Sequence, residues 1–76
     1  MIGHISMIGK IVRHLDTHHG RSDIGIVIKS LPYDFFQVYW FYKTIEGAHD
    51  ITKHSKYVVN LMEIYYREWC ELVGRQ

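Results

Sequence analysis

Residues 24–43, IGIVIKSLPYDFFQVYWFYK, are the stretch that most narrows what this chain can fold into. Ile24, Ile26 and Ile28 share one face at period two, and Gly25, Val27 and Lys29 share the other. The run from 35 to 43 is almost continuously aromatic and β-branched, which favours a strand. Between them lies Leu31-Pro32-Tyr33-Asp34, where Pro32 presets φ for the corner of a turn and has no N–H to offer a ladder. The local reading is a β-hairpin.

Flanking segments extend this reading. IGKIVRHL over residues 8–15 puts Ile11, Arg13 and Leu15 on one face and Val12 and His14 on the other, a strand with Val12 as its core residue. Residues 1–7 read as a flexible lead-in, and Met7 doubles as an alternative start. DTHHGRSD (16–23) is polar throughout and reads as a loop. Residues 44–56 lose periodicity at Gly47 and read as a long exposed loop, followed by a short strand, KYVV, at 56–59. The end of the chain changes character. Asn60 can cap a helix with Glu63 closing the box, and Val59 and Ile64 can form a staple. Glu63, Arg67 and Glu71 make a polar stripe, and Gly74 suits a C-terminal stop. The spacing predicts a helix over 61–73.

The expected whole is one domain of 76 residues, with barrel strands over 8–59 and a C-terminal helix. A chain this short buries only about 60% of its unfolded surface, so its stability margin is thin. Nine Lys+Arg nearly cancel eight Asp+Glu, which disfavours a strongly electrostatic partner such as bulk duplex DNA. Six His make the charge pH-sensitive. A single cysteine, Cys70, excludes an internal disulfide and fits an intracellular setting. The start MIGHISMIGK does not read as a signal peptide, and no apolar run reaches the roughly 18 residues of a membrane span.

Gly9-Lys10-Ile11-Val12-Arg13, Ile24-Gly25-Ile26-Val27-Ile28, Gln37-Val38-Tyr39-Trp40 and the pair His54-Ser55 form a familiar pattern. It resembles the small SH3-like barrel proteins, most closely short ones encoded by tailed bacteriophages, including cyanophages. Similar layouts occur in KOW-type modules and in small barrel subunits of photosynthetic complexes. The resemblance spans about residues 7–64 and implies a mainly β, SH3-like barrel of four to five antiparallel strands with an interaction role. It implies a setting in the host cytoplasm or the virion, and it carries over no catalytic residue. The helix signals after Val59 depart from the fifth strand such barrels have.

Few residues suggest chemistry. His14, Asp16, His18 and His19 have the atoms of a zinc site, and His49, Asp50 and His54 could add to it, but the spacing fits no ligand signature. The loop reads as solvated, without a tight metal site. Cys70 reads as buried packing on the helix, and Ser22, Ser30 and Ser55 have no evident base. No paired carboxylates, phosphate loop or cofactor fingerprint is present, so neither an enzyme nor a cofactor is expected. The aromatic strand is the informative part. Phe36, Val38, Trp40 and Tyr42 share one face, and Phe35, Tyr39 and Phe41 share the other with Gln37. One row exceeds what a single small interior can take, and the helix is its expected cover. The helix is itself apolar nearly all round, which adds a partner surface. The expected partner-binding residues are Phe35, Tyr39, Phe41, Tyr66 and Trp69, docking another protein or a second copy rather than a membrane. Single-stranded nucleic acid is the rival, through Lys29, Lys43, Lys53 and Lys56 beside Tyr39 and Phe41.

Overall fold

In the computed structural model, which describes residues 6–16 and 20–74, the hairpin forms as the alternation demands. Strands β2 (Ile24–Leu31) and β3 (Phe35–Tyr42) pair antiparallel across a three-residue turn at Pro32–Asp34. The turn closes with Tyr33 and Asp34 both left-handed, at φ 62° and 58°. β1 (Ile11–Arg13) and β4 (Ile51–Ser55) flank the hairpin, giving one antiparallel sheet of order β1-β2-β3-β4. Helix α1 (Lys56–Gly74) follows β4 without a break.

The sheet stays open and does not close into the expected SH3-like barrel, because β1 is only three residues long and is paired with β2 alone. The chain leaves β4 directly into α1, which packs mainly on β1, and no described fifth strand closes the gap. One face of the sheet is therefore covered. Val12, Val27, Phe36, Val38 and Trp40 are buried there with Met7 and with Val59 and Met62 of the helix. Gly25 belongs to this face for a steric reason. A Cβ there would stand 2.8 Å from the Trp40 ring, from Val38 Cγ1 and from the Tyr39 carbonyl oxygen.

Several boundaries move from their expected places. Met7 is part of the core rather than of a flexible lead-in, since the turn at Gly9 (φ 92°) docks on β2. Gly9 N–H donates to the Val27 carbonyl at 2.8 Å, and Val27 N–H to the Lys10 carbonyl at 3.0 Å. Residues 1–5 lie outside the described residues. Part of the expected long loop is β4, and the expected strand 56–59 is the first turn of the helix. Val58 N–H donates to Ser55 Oγ at 3.4 Å, so Ser55 occupies the capping place assigned to Asn60, which lies inside the helix and is exposed. Two register shifts matter. Ile28 in β2 and Phe41 in β3 have no cross-strand partner, and each marks a bulge.

Candidate functional site

The uncovered face of the sheet carries the aromatic row opposite to Trp40. Register places Ile11, Ile26, Tyr39 and Ile51 side by side across all four strands. Tyr39 and Ile51 are about half exposed, at 41% and 50%. The next row is Lys29, Gln37 and Lys53, and the one after it Leu31, Phe35 and Ser55. Lys53 Nζ stands 5.3 Å over the Phe35 ring. The four described strands hold Arg13, Lys29 and Lys53 but neither Asp nor Glu. The expectation that the helix covers one aromatic row is met on the Phe36, Val38 and Trp40 side, which leaves Tyr39 and Phe41 open.

At the β1 end this face runs into a cavity of about 580 Å³, lined by Ile11, Ser22, Ile24, Phe41, Tyr42, Tyr66 and Trp69. The bulge at Phe41 explains its wall. It breaks the alternation, so Tyr42 is exposed instead of sharing the buried face of Trp40. Tyr66 and Trp69, one turn apart on α1, bring their rings within 6.2 Å. The Arg13 guanidinium lies over Tyr65 at 5.0 Å and over Trp69 at 5.5 Å, and its Nη2 donates to Ser22 Oγ at 3.4 Å. Its buried Nε has no hydrogen-bond partner among the described residues. Cys70, expected to be buried packing, is exposed and free. Its thiol beside the Tyr66 hydroxyl, with some desolvation, raises the phenol above its usual value of 10.

Three of the expected partner-binding residues, Phe41, Tyr66 and Trp69, thus come together in one cavity, with Tyr39 on the adjoining face. Phe35 does not join them. It pairs with Leu31 at the turn end of the hairpin, about 20 Å of strand from Phe41. Missed by sequence reasoning are Ile11, Ser22, Ile24, Tyr42 and Arg13. The parity of Ile11 and Arg13 on β1 was the available signal.

Polar groups sit beneath the other face. Trp40 Nε1–H donates to Thr52 Oγ1 at 2.6 Å, and that hydroxyl stands 2.6 Å from His54 Nε2. The His14 and His54 rings flank Trp40, at 5.4 and 6.2 Å between centroids. Burial lowers both imidazole pKa values from 6.5, assisted by Arg21 at His14 and by His14 itself at His54. The Asp16 N–H donates to His14 Nδ1 at 3.0 Å, a bond that needs the neutral ring. The Thr52 hydroxyl accepts the indole N–H and can at the same time donate its own proton to His54 Nε2, so it bridges Trp40 and His54.

Asp23 is the largest surprise, fully buried in a segment that reads as a polar loop. Its Oδ1 accepts from Thr44 N–H at 2.9 Å and from the Thr44 hydroxyl at 3.0 Å, and its Oδ2 accepts from Arg21 Nε at 2.8 Å. Desolvation raises its pKa, but the Thr44 N–H, the Arg21 guanidinium and the Thr44 hydroxyl outweigh it and hold the carboxyl below its usual value. Of the zinc candidates, His18 and His19 lie outside the described residues, His14 faces Trp40, and Asp50 pairs with Lys43. The described residues contain no group of three metal-binding side chains, and no described helix is long and apolar enough to cross a membrane.

No family model, curated protein or solved structure matches this chain.

Proposed function

We propose that this chain is a non-enzymatic protein-interaction module that docks through the open face of its sheet. One observation carries the reading: an apolar row of Ile11, Ile26, Tyr39 and Ile51 crosses every described strand on the face opposite Val38 and Trp40, and the helix reaches only its β1 end, leaving Tyr39 and Ile51 about half exposed. Apolar patches left open on a small domain mark contact surfaces, and Tyr, Trp, Phe and Arg are the residues such contacts concentrate. Charge selects the partner. With Lys29 and Lys53 on the open face and no acid on the described strands, two copies stacked face to face would oppose like charges. An apolar segment flanked by carboxylates fits better.

A peptide-display selection against the intact protein, counter-selected on Tyr39→Ser, tests this. Enriched peptides should pair aromatic or aliphatic anchors with Asp or Glu, and should bind Tyr39→Ser about tenfold more weakly. Equal binding to both proteins overturns docking on this face. Light scattering showing a concentration-dependent dimer that Tyr39→Ser abolishes would replace the acidic partner by a second copy.

A second reading has its own support. The row of Lys29, Gln37 and Lys53, beside Tyr39 and with Phe35 under Lys53, sets cations next to stackable rings in the manner of single-strand binders. Salt-sensitive anisotropy of a labelled oligonucleotide, lost in Lys29→Ala/Lys53→Ala, would favour it over protein docking.

A further inference from the structure

The cavity beside β1 has a chemistry that docking on the sheet face does not use. Its walls are Ile11, Ile24, Phe41, Tyr42, Tyr66 and Trp69, so its body is apolar and mostly aromatic. At about 580 Å³ it has the size of a site for a small organic molecule. Besides the two phenols and the Trp69 indole N–H, the polar wall side chain is Ser22, whose hydroxyl receives Arg13 Nη2 at the long limit of a hydrogen bond, 3.4 Å. Behind it the guanidinium is fixed against Tyr65 and Trp69. Its Nε has no acceptor among the described residues. Such an orphaned donor is uncommon, because a buried polar group without a partner costs stability.

We propose that this cavity binds a small amphipathic carboxylate. A planar or branched apolar body lies against Phe41, Tyr42, Tyr66 and Trp69, and the carboxylate turns past Ser22 toward Arg13. Arginine suits this because its planar fork matches a carboxylate, and stacking on two rings orients the fork before the ligand arrives. Aromatic walls favour a ring over a flexible chain, since ring pairs gain beyond the area they bury. The proposal goes beyond protein docking and stands or falls without it.

Titration of the intact ¹⁵N-labelled protein with naphthalene-2-carboxylate, and separately with naphthalene-2-carboxamide, tests it by NMR. The acid should shift the amides of Ser22 and Ile24 and the indole N–H of Trp69, and should bind about tenfold more tightly than the amide. Arg13→Gln should bring the two ligands to equal affinity. If that variant loses its dispersed spectrum, the acid-to-amide ratio on the unaltered protein decides alone. Equal affinities there, or shifts confined to the Tyr39 face, overturn the proposal. Tyr39→Ser should leave naphthoate binding unchanged, so failure here and failure of protein docking are separately visible.

Discussion

Asp23 shows how much one side chain can hold in a domain this small. Its carboxylate joins the loop after β1 to the loop after β3, because Arg21 lies beside it and Thr44 caps it from across the sheet. Ser22 N–H, which donates to the Thr44 hydroxyl at 3.0 Å, completes the link. Asp23→Ala strands Arg21 and the Thr44 N–H, and breaking a buried pair of this kind costs about 3–5 kcal/mol. That rivals the whole margin of a short chain, so the variant should be largely unfolded by circular dichroism at room temperature. Asp23→Asn keeps an acceptor and should cost about 1–3 kcal/mol in urea titration. Gly25 makes a second test at this scale. Because a Cβ would stand 2.8 Å from backbone and ring atoms, Gly25→Ala should lower stability by about 1–3 kcal/mol through overpacking. An unchanged urea midpoint would mean that Trp40 can move aside.

At the scale of elements, α1 separates a local reading from a packed one. Capping signals place a helix start at Asn60 and a staple at Ile64, yet the helix starts at Lys56, and Val59 and Met62 are the side chains it buries. Lys10 and Glu63 bridge the approach to β1 and the helix at 2.8 Å. Met62→Ala should therefore cost about 2–5 kcal/mol. Ile64→Ala should cost far less, because Ile64 is 42% exposed. Ser55→Ala should cost about 0.5–2 kcal/mol through the lost cap. Asn60→Ala, at an exposed interior position, should instead stabilise by up to about 0.7 kcal/mol on helix propensity. Thermal melts of these four variants check the order, and a larger loss at Asn60 than at Ser55 would restore the later start.

For the whole molecule, the two histidines against Trp40 set a pH dependence. Burial lowers both pKa values below 6.5 in the folded chain, so the unfolded chain binds more protons just below that pH. Stability rises with pH wherever the unfolded state holds more protons. It should be fully present above about pH 6.5 and be lost as pH falls toward the lower folded values. Asp23, with its own pKa lowered, adds a separate loss that begins only below about pH 4. Urea midpoints across this range should fall on acidification, and a His14→Gln/His54→Gln variant should flatten the upper limb. An unflattened limb would assign it to other groups.

The hairpin, the grouping of Phe36, Val38 and Trp40 on one face, the core place of Val12 and the existence of a C-terminal helix were legible in the sequence. Each depends on a period of two or 3.6 over a few neighbours, which a single strand or helix expresses by itself. The bulges at Ile28 and Phe41 were not legible, because the alternation reads straight through them. Nor was the burial of Asp23, whose partner Thr44 lies 21 residues away. The candidate cavity was half visible: Phe41, Tyr66 and Trp69 were singled out as unusually apolar, but their meeting with Ile11, Ile24 and Arg13 was not. Only the docking of α1 against β1 decided that meeting, along with which aromatic row stays open and why the sheet does not close. Such outcomes follow from packing between segments some fifty residues apart, as between Lys10 and Glu63, where no local period carries information.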